Sequence, residues 1–168
     1  MKSDFSLPFV LSVFGAFVTG TVMARLYVWP VLRSMPRYDA LRILASLSAF
    51  RFLGMNFMVV GFVSPQLPSW FGSQVGWGDF TAAVLALLSM AALTWRWTFA
   101  LPIVWISNLV GAADLLNAYF QGVTHTELPP GNMGAGIYIP ALYVPILLIS
   151  HTLAFIILSK PQLGPQKS

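Results

Sequence analysis

Five runs of apolar residues, each long enough to cross a bilayer as a helix, constrain this chain more than any other feature. About 20 mostly apolar residues span the hydrocarbon, because an α-helix rises about 1.5 Å per residue and satisfies its own backbone there. Residues 5–24 do so without a charge, and 43–63 are interrupted by Arg51. Residues 76–95 carry Asp79 near their start, 97–120 hold Asn108, Asp114 and Asn117, and 137–159 contain Pro140, Pro145 and His151. None alternates with period two, as outer-membrane strands of about 9–11 residues do. The expected fold is all-α: one domain over residues 1–168, an integral membrane bundle of about five transmembrane helices.

Composition agrees. Hydrophobic residues make up 57% of the chain and charged ones 8%, where a soluble domain carries roughly a quarter charged. No linker, charge run or internal repeat divides it. The net charge of +4 does not point to nucleic acid, whose binders gather cations on a solvated polar face. Here the cations flank apolar runs, which is how they orient a membrane protein. Cysteine is absent, which excludes disulfides, thiolate metal sites and thiol catalysis.

Lys2 precedes the first run, yet no small-x-small cleavage site ends it, so it reads as a retained span and not a signal peptide. Arg25, Arg33, Arg37 and Arg42 crowd the first connection, Arg96 sits in the third, and Lys160 and Lys167 follow the last run. The second connection, 64–75, has no charge, and the fourth, 121–136, has Glu127 and His125. Cations favour the cytosol, so the N-terminus is expected outside and the C-terminus in the cytosol. Trp and Tyr near the run ends fit interfacial anchoring.

Ionisable groups are costly in lipid and turn inward to find partners. Counting helical rise puts Arg51 near mid-membrane and Asp114 roughly 9 Å below the outer surface. An Arg51–Asp114 pair completed by Asn117 or Asp79 is therefore expected. Asn108 and His151 fall at similar depth in the inner half, and Asn108, Gly111, Asp114 and Asn117 recur every three residues. Together Arg51, Asn108, Asp114, Asn117, His151 and Asp79 read as a proton, ion or ligand pathway or, more simply, as polar glue between helices. Two have simpler readings: Asp79 as a cap at a helix start, and His151 donating to a carbonyl freed by Pro145. Ala16, Gly20 and Ala24, four apart, favour close packing within the chain.

Chemistry-bearing motifs are few. His125 and Glu127 make too small a set for a metal, so no metal site, cofactor or catalytic residue is assigned. Gly76-Trp77-Gly78-Asp79, with Tyr38-Asp39 before it and Pro140-Ala141-Leu142 after it, echoes the intramembrane aspartyl proteases. Those enzymes need two carboxylates in contact, whereas Asp39 and Asp79 begin successive runs at opposite faces, ~30 Å apart. No Walker loop, GxSxG elbow or HExxH helix is present.

From about residue 40 to 159 the chain resembles a family of small, uncharacterised bacterial multi-pass integral membrane proteins. The resemblance rests on Phe50-Arg51-Phe52-Leu53-Gly54, Gly78-Asp79, Trp105 to Asn108 leading into Gly111 and Asp114-Leu115, and Pro129-Pro130-Gly131, with Pro140, Pro145 and His151 beyond. It implies a bacterial inner (plasma) membrane setting and no activity. The leading functional expectation is a small transporter or channel-like protein using the polar thread. Alternatives are a non-catalytic subunit or scaffold of a membrane complex, and an enzyme acting on a lipid or apolar metabolite where Asp79, Asp114 and His125 converge. The expected partners are the lipid bilayer and either a second copy or a membrane-complex subunit.

Overall fold

The computed structural model describes residues 7–125 and 128–160; Lys2, the start of the first run, Glu127 and Lys167 lie outside the described residues. Five helices follow one another: α1 (Leu7–Ser34), α2 (Arg37–Ala49), α3 (Ser69–Thr94), α4 (Ala100–Thr124) and α5 (Ile139–Ser159). A 3-10 segment, Phe50–Met58, continues α2, and a second, Pro130–Ile137, leads into α5. The described residues form no strand beyond one isolated bridge between Val60 and Val63.

Four helices, α1, α3, α4 and α5, are long and apolar enough to cross a membrane. Many large apolar side chains face outward, among them Leu11, Phe14, Leu87, Leu109 and Phe120, a surface suited to lipid.

The second run departs from expectation. Residues 43–63 do not form one helix: α2 starts six residues earlier, tightens into the 3-10 segment at Phe50, and ends at Met58. The reason lies in what the segment buries. With three residues per turn, a 3-10 helix aligns side chains three apart, and Arg51, Gly54 and Phe57 are its buried residues. An α-helical continuation would turn this stripe off the surface of α3. The tighter coil also rises faster, so residues 37–58 extend about 37 Å. Arg37 Nη2 donates to Leu158 O at the end of α5 (2.6 Å), while Phe57 packs edge-on against Phe71 near the start of α3. The segment thus runs from one end of the bundle to the other.

Helix α3 is the centre of the bundle. It packs against α2, the 3-10 segment and α4, while α5 packs on α2, α4 and α1. It starts at Ser69, seven residues before the run read from hydropathy. Gly72, Gly76 and Gly78 weaken helix propensity there, yet their lack of side chains admits neighbours: a Cβ on Gly72 would meet Phe57 O at 2.8 Å. Tertiary contact outweighs propensity. Asp79 therefore lies well inside α3, and the expectation that it caps a helix start is incorrect.

Two apolar clusters close the ends. Leu32, Leu41, Leu44, Leu93, Val104 and Leu158 pack at one, and Phe57, Leu67, Phe71, Leu128 and Met133 at the other. On α1, a Cβ at Gly20 would meet Ile149 of α5 at 2.8 Å, so the small-residue stripe serves packing within the chain.

Candidate functional site

Arg51 is completely buried, and its guanidinium reaches three groups on two helices. Nε donates to Asp79 Oδ1 of α3 (2.7 Å), Nη1 to the Gly111 carbonyl of α4 (3.0 Å), and Nη2 to Asp114 Oδ2 of α4 (2.5 Å). The planar fork of arginine suits such divergent acceptors, and a buried charge requires them. Both carboxylates are therefore engaged by one cation, which leaves the trio one negative charge in excess when both are ionised.

Glycines make room for each polar side chain. A Cβ on Gly54 would overlap the Asp79 carboxylate, and one on Gly78 the Asp114 carboxylate. A Cβ on Gly111 would lie within 3.1 Å of His151 Cε1, His151 Nε2 and Arg51 Nη1.

His151 and Asn108 sit on the other side of Gly111. Asn108 Nδ2 donates to Val104 O (2.8 Å), so its Oδ1 accepts from His151 Nδ1 (2.8 Å). The neutral imidazole then carries its proton on Nδ1 and presents a bare lone pair at Nε2. That nitrogen is buried without a hydrogen-bond partner among the described residues, and it shares with Arg51 Nη1 the space that a Cβ on Gly111 would fill. His151 thus bonds Asn108, and not a carbonyl freed by Pro145.

Arg51, Asp79, Asp114, Asn108 and His151 are brought together; Asn117 is not. It lies on the exposed face of α4, where its Oδ1 accepts from Gln121 Nε2 (3.3 Å). The slow drift of a three-residue spacing around the helix carries it past the buried face. His125 ends α4, eleven residues beyond Asp114, and its ring meets Trp70 (centroids 5.3 Å). About 16 Å of helical rise separates it from the carboxylates. Asp39 pairs with Arg42 (2.8 Å) on α2, away from Asp79.

A cavity of about 330 Å³ adjoins the carboxylates. Its wall is almost wholly apolar: Phe9, Val13 and Phe17 of α1, Val75 of α3, Ala118 of α4 and Ile139 of α5 are among its lining residues, and Asp79 and Asp114 line it too. Asp114 is the more open of the two, with 23% of its side chain exposed against 8% for Asp79. Phe14 and Val123 line the cavity and are largely exposed, so it opens towards the apolar outside of the bundle beside α1. Tyr119, not singled out from sequence, lines the same space and donates to Pro140 O (2.6 Å).

Residues 8–159 match the family described as a domain of unknown function, DUF8737. The chain belongs to that family. No curated protein and no solved structure matches it. DUF8737 thus agrees with the resemblance to an uncharacterised family, and its long apolar helices point to a membrane protein. The motifs behind that resemblance map onto the site: the segment around Arg51 and Gly54, Gly78-Asp79, and the stretch from Asn108 to Asp114 supply its charges and notches.

Proposed function

We propose that this DUF8737 protein is a small transporter of the bacterial inner membrane that exchanges protons for an amphipathic cation. The supporting observation is the apolar cavity with the Asp114 and Asp79 carboxylates in its wall, both held by one buried arginine. An excess negative charge in low dielectric demands compensation. One proton or one bound cation supplies it, and each displaces the need for the other. That exclusivity is the basis of antiport. The apolar wall selects a solute with a hydrocarbon body, which enters from the lipid beside α1.

In this reading five segments cross the membrane, residues 37–58 among them, with the N-terminus outside and the C-terminus in the cytosol. The described cations other than Arg51 support it: Arg25, Arg33, Arg37, Arg42, Arg96 and Lys160 fall in the half of the bundle where α5 ends. Asn108 and His151 lead from Arg51 towards that end, where apolar packing closes the path. Passage then requires movement, for which the π-turns Ala24–Val28 of α1 and Ile139–Tyr143 of α5 are the weak points.

The test is uptake of labelled decyltrimethylammonium by proteoliposomes with an acidic lumen. The protein should accelerate uptake over protein-free liposomes, and Asp114→Asn should abolish the gain while remaining folded and monodisperse. Equal uptake by the variant, or no acceleration by the unmodified protein, refutes antiport.

A scaffold role in a membrane complex is the second reading, favoured by the complete burial of Arg51 among partners from neighbouring helices. It predicts a stoichiometric membrane partner on mild solubilisation and no cation uptake.

A further inference from the structure

We propose that a groove between α1 and α5, at the end rich in arginine, holds an anionic phospholipid whose phosphate is bound by Arg25 and Arg33. The groove measures about 800 Å³. Thr21, Arg25, Trp29 and Arg33 of α1 line one side and Leu153 and Ile156 of α5 the other. These four α1 residues are four apart. In an uninterrupted α-helix that spacing drifts ~40° per step, so Thr21 and Arg33 would point ~120° apart. The π-turn at Ala24–Val28 takes in an extra residue and restores the alignment, which places both arginines on the groove.

The side chains of Arg25 and Arg33 make no hydrogen bond or ion pair with any described residue, and no acidic side chain lines the groove. Trp29 sits between them under the Lys160 ammonium, 4.6 Å from its ring centroid, as an aromatic at the headgroup level does. Arg25 lies one turn deeper, ~6 Å along the helix, where an unpaired cation against lipid is costly unless an anion meets it. A phosphate at the level of Trp29 is within reach of both flexible arginine stems. The apolar remainder of the groove accommodates an acyl chain, which distinguishes a phospholipid from free phosphate.

The groove meets the carboxylate cavity only at Phe17, which lines both, and the lipid proposal shares with the transport reading only the membrane placement. The experiment uses delipidated protein in non-ionic detergent, with retained lipid read by native mass spectrometry and protection by thermal melting. Dioleoylphosphatidylglycerol should be preferred over dioleoylphosphatidylcholine by roughly 30-fold, since each basic residue at an anionic surface contributes about fivefold. Arg25→Gln/Arg33→Gln should bring the ratio near unity, while Arg42→Gln/Arg96→Gln, at the same end, and Asp114→Asn should leave it intact. Equal retention of the two lipids overturns the proposal, as does an unchanged ratio in the Arg25/Arg33 variant. Loss of the ratio in the Arg42/Arg96 variant, or equal protection by inorganic phosphate alone, also overturns it.

Discussion

Arg51 cannot leave its partners without exposing charges to an apolar interior. Its guanidinium meets Asp79, Gly111 O and Asp114, so Arg51→Leu strands two carboxylates. Breaking a buried pair in this way costs about 3–5 kcal/mol. Thermal melts in detergent should show that loss for Arg51→Leu alone. Arg51→Leu combined with Asp79→Asn and Asp114→Asn should recover most of it, because no charge is then left unpaired. An undiminished melting temperature for the single variant would show that the trio contributes nothing to folding. The glycine notches make a second residue-scale prediction. Gly54→Ala drives a methyl into the Asp79 carboxylate and should cost about 1–3 kcal/mol as overpacking. Gly15→Ala, whose Cβ meets nothing within 4 Å, should change stability by no more than about 1 kcal/mol. Comparable melts for the two would contradict the notch.

At the scale of elements, the 3-10 segment sets which side chains face α3. The inward stripe of α2 (Leu41, Leu44, Ser48), continued in α-helical register, would bury Met55 and Met58. The observed coil buries Gly54 and Phe57 instead. Phe57→Ala should therefore destabilise by about 3–5 kcal/mol, whereas Phe50→Ala and Phe52→Ala, both on the exposed side, should have small effects. The reverse ranking in thermal melts would mean that α2 continues as an α-helix. The same coil brings Arg51 to Asp79 and lets Gly54 lie against it, so the packing that determines the element also assembles the candidate site. Helix α1 behaves differently. It rests mainly on α5 and leaves the cavity open beside it; in the transport reading proposed above, its displacement is what admits a solute.

The whole molecule has one cationic end and one end without a described cation. If residues 37–58 cross the membrane, Ser34 and Val60 emerge on opposite sides; if the segment folds back, they share a side. The chain has no cysteine, and Ser34 and Val60 are both exposed, so Ser34→Cys and Val60→Cys provide clean reporters. With a membrane-impermeant thiol reagent on intact cells, Val60→Cys should be labelled and Ser34→Cys should require permeabilisation. Labelling of both from one side would limit the membrane crossings to the four long helices.

Much of this arrangement follows from local chemistry alone. Long, mostly apolar runs without period-two alternation satisfy their backbone in lipid as helices, so α1, α3, α4 and α5 are legible from hydropathy, and the few ionisable groups inside the apolar runs must seek one another, which is why Arg51 and Asp114 could be paired without coordinates. Tertiary structure decided what depends on facing surfaces. Packing on α3 wound residues 50–58 into a 3-10 coil, carried α3 through its glycines to Ser69 so that Asp79 is no cap, and chose Asp79 over Asn117 to complete the Arg51–Asp114 pair. Propensity and spacing describe one segment at a time, whereas a notch exists only where a second helix comes to fill it.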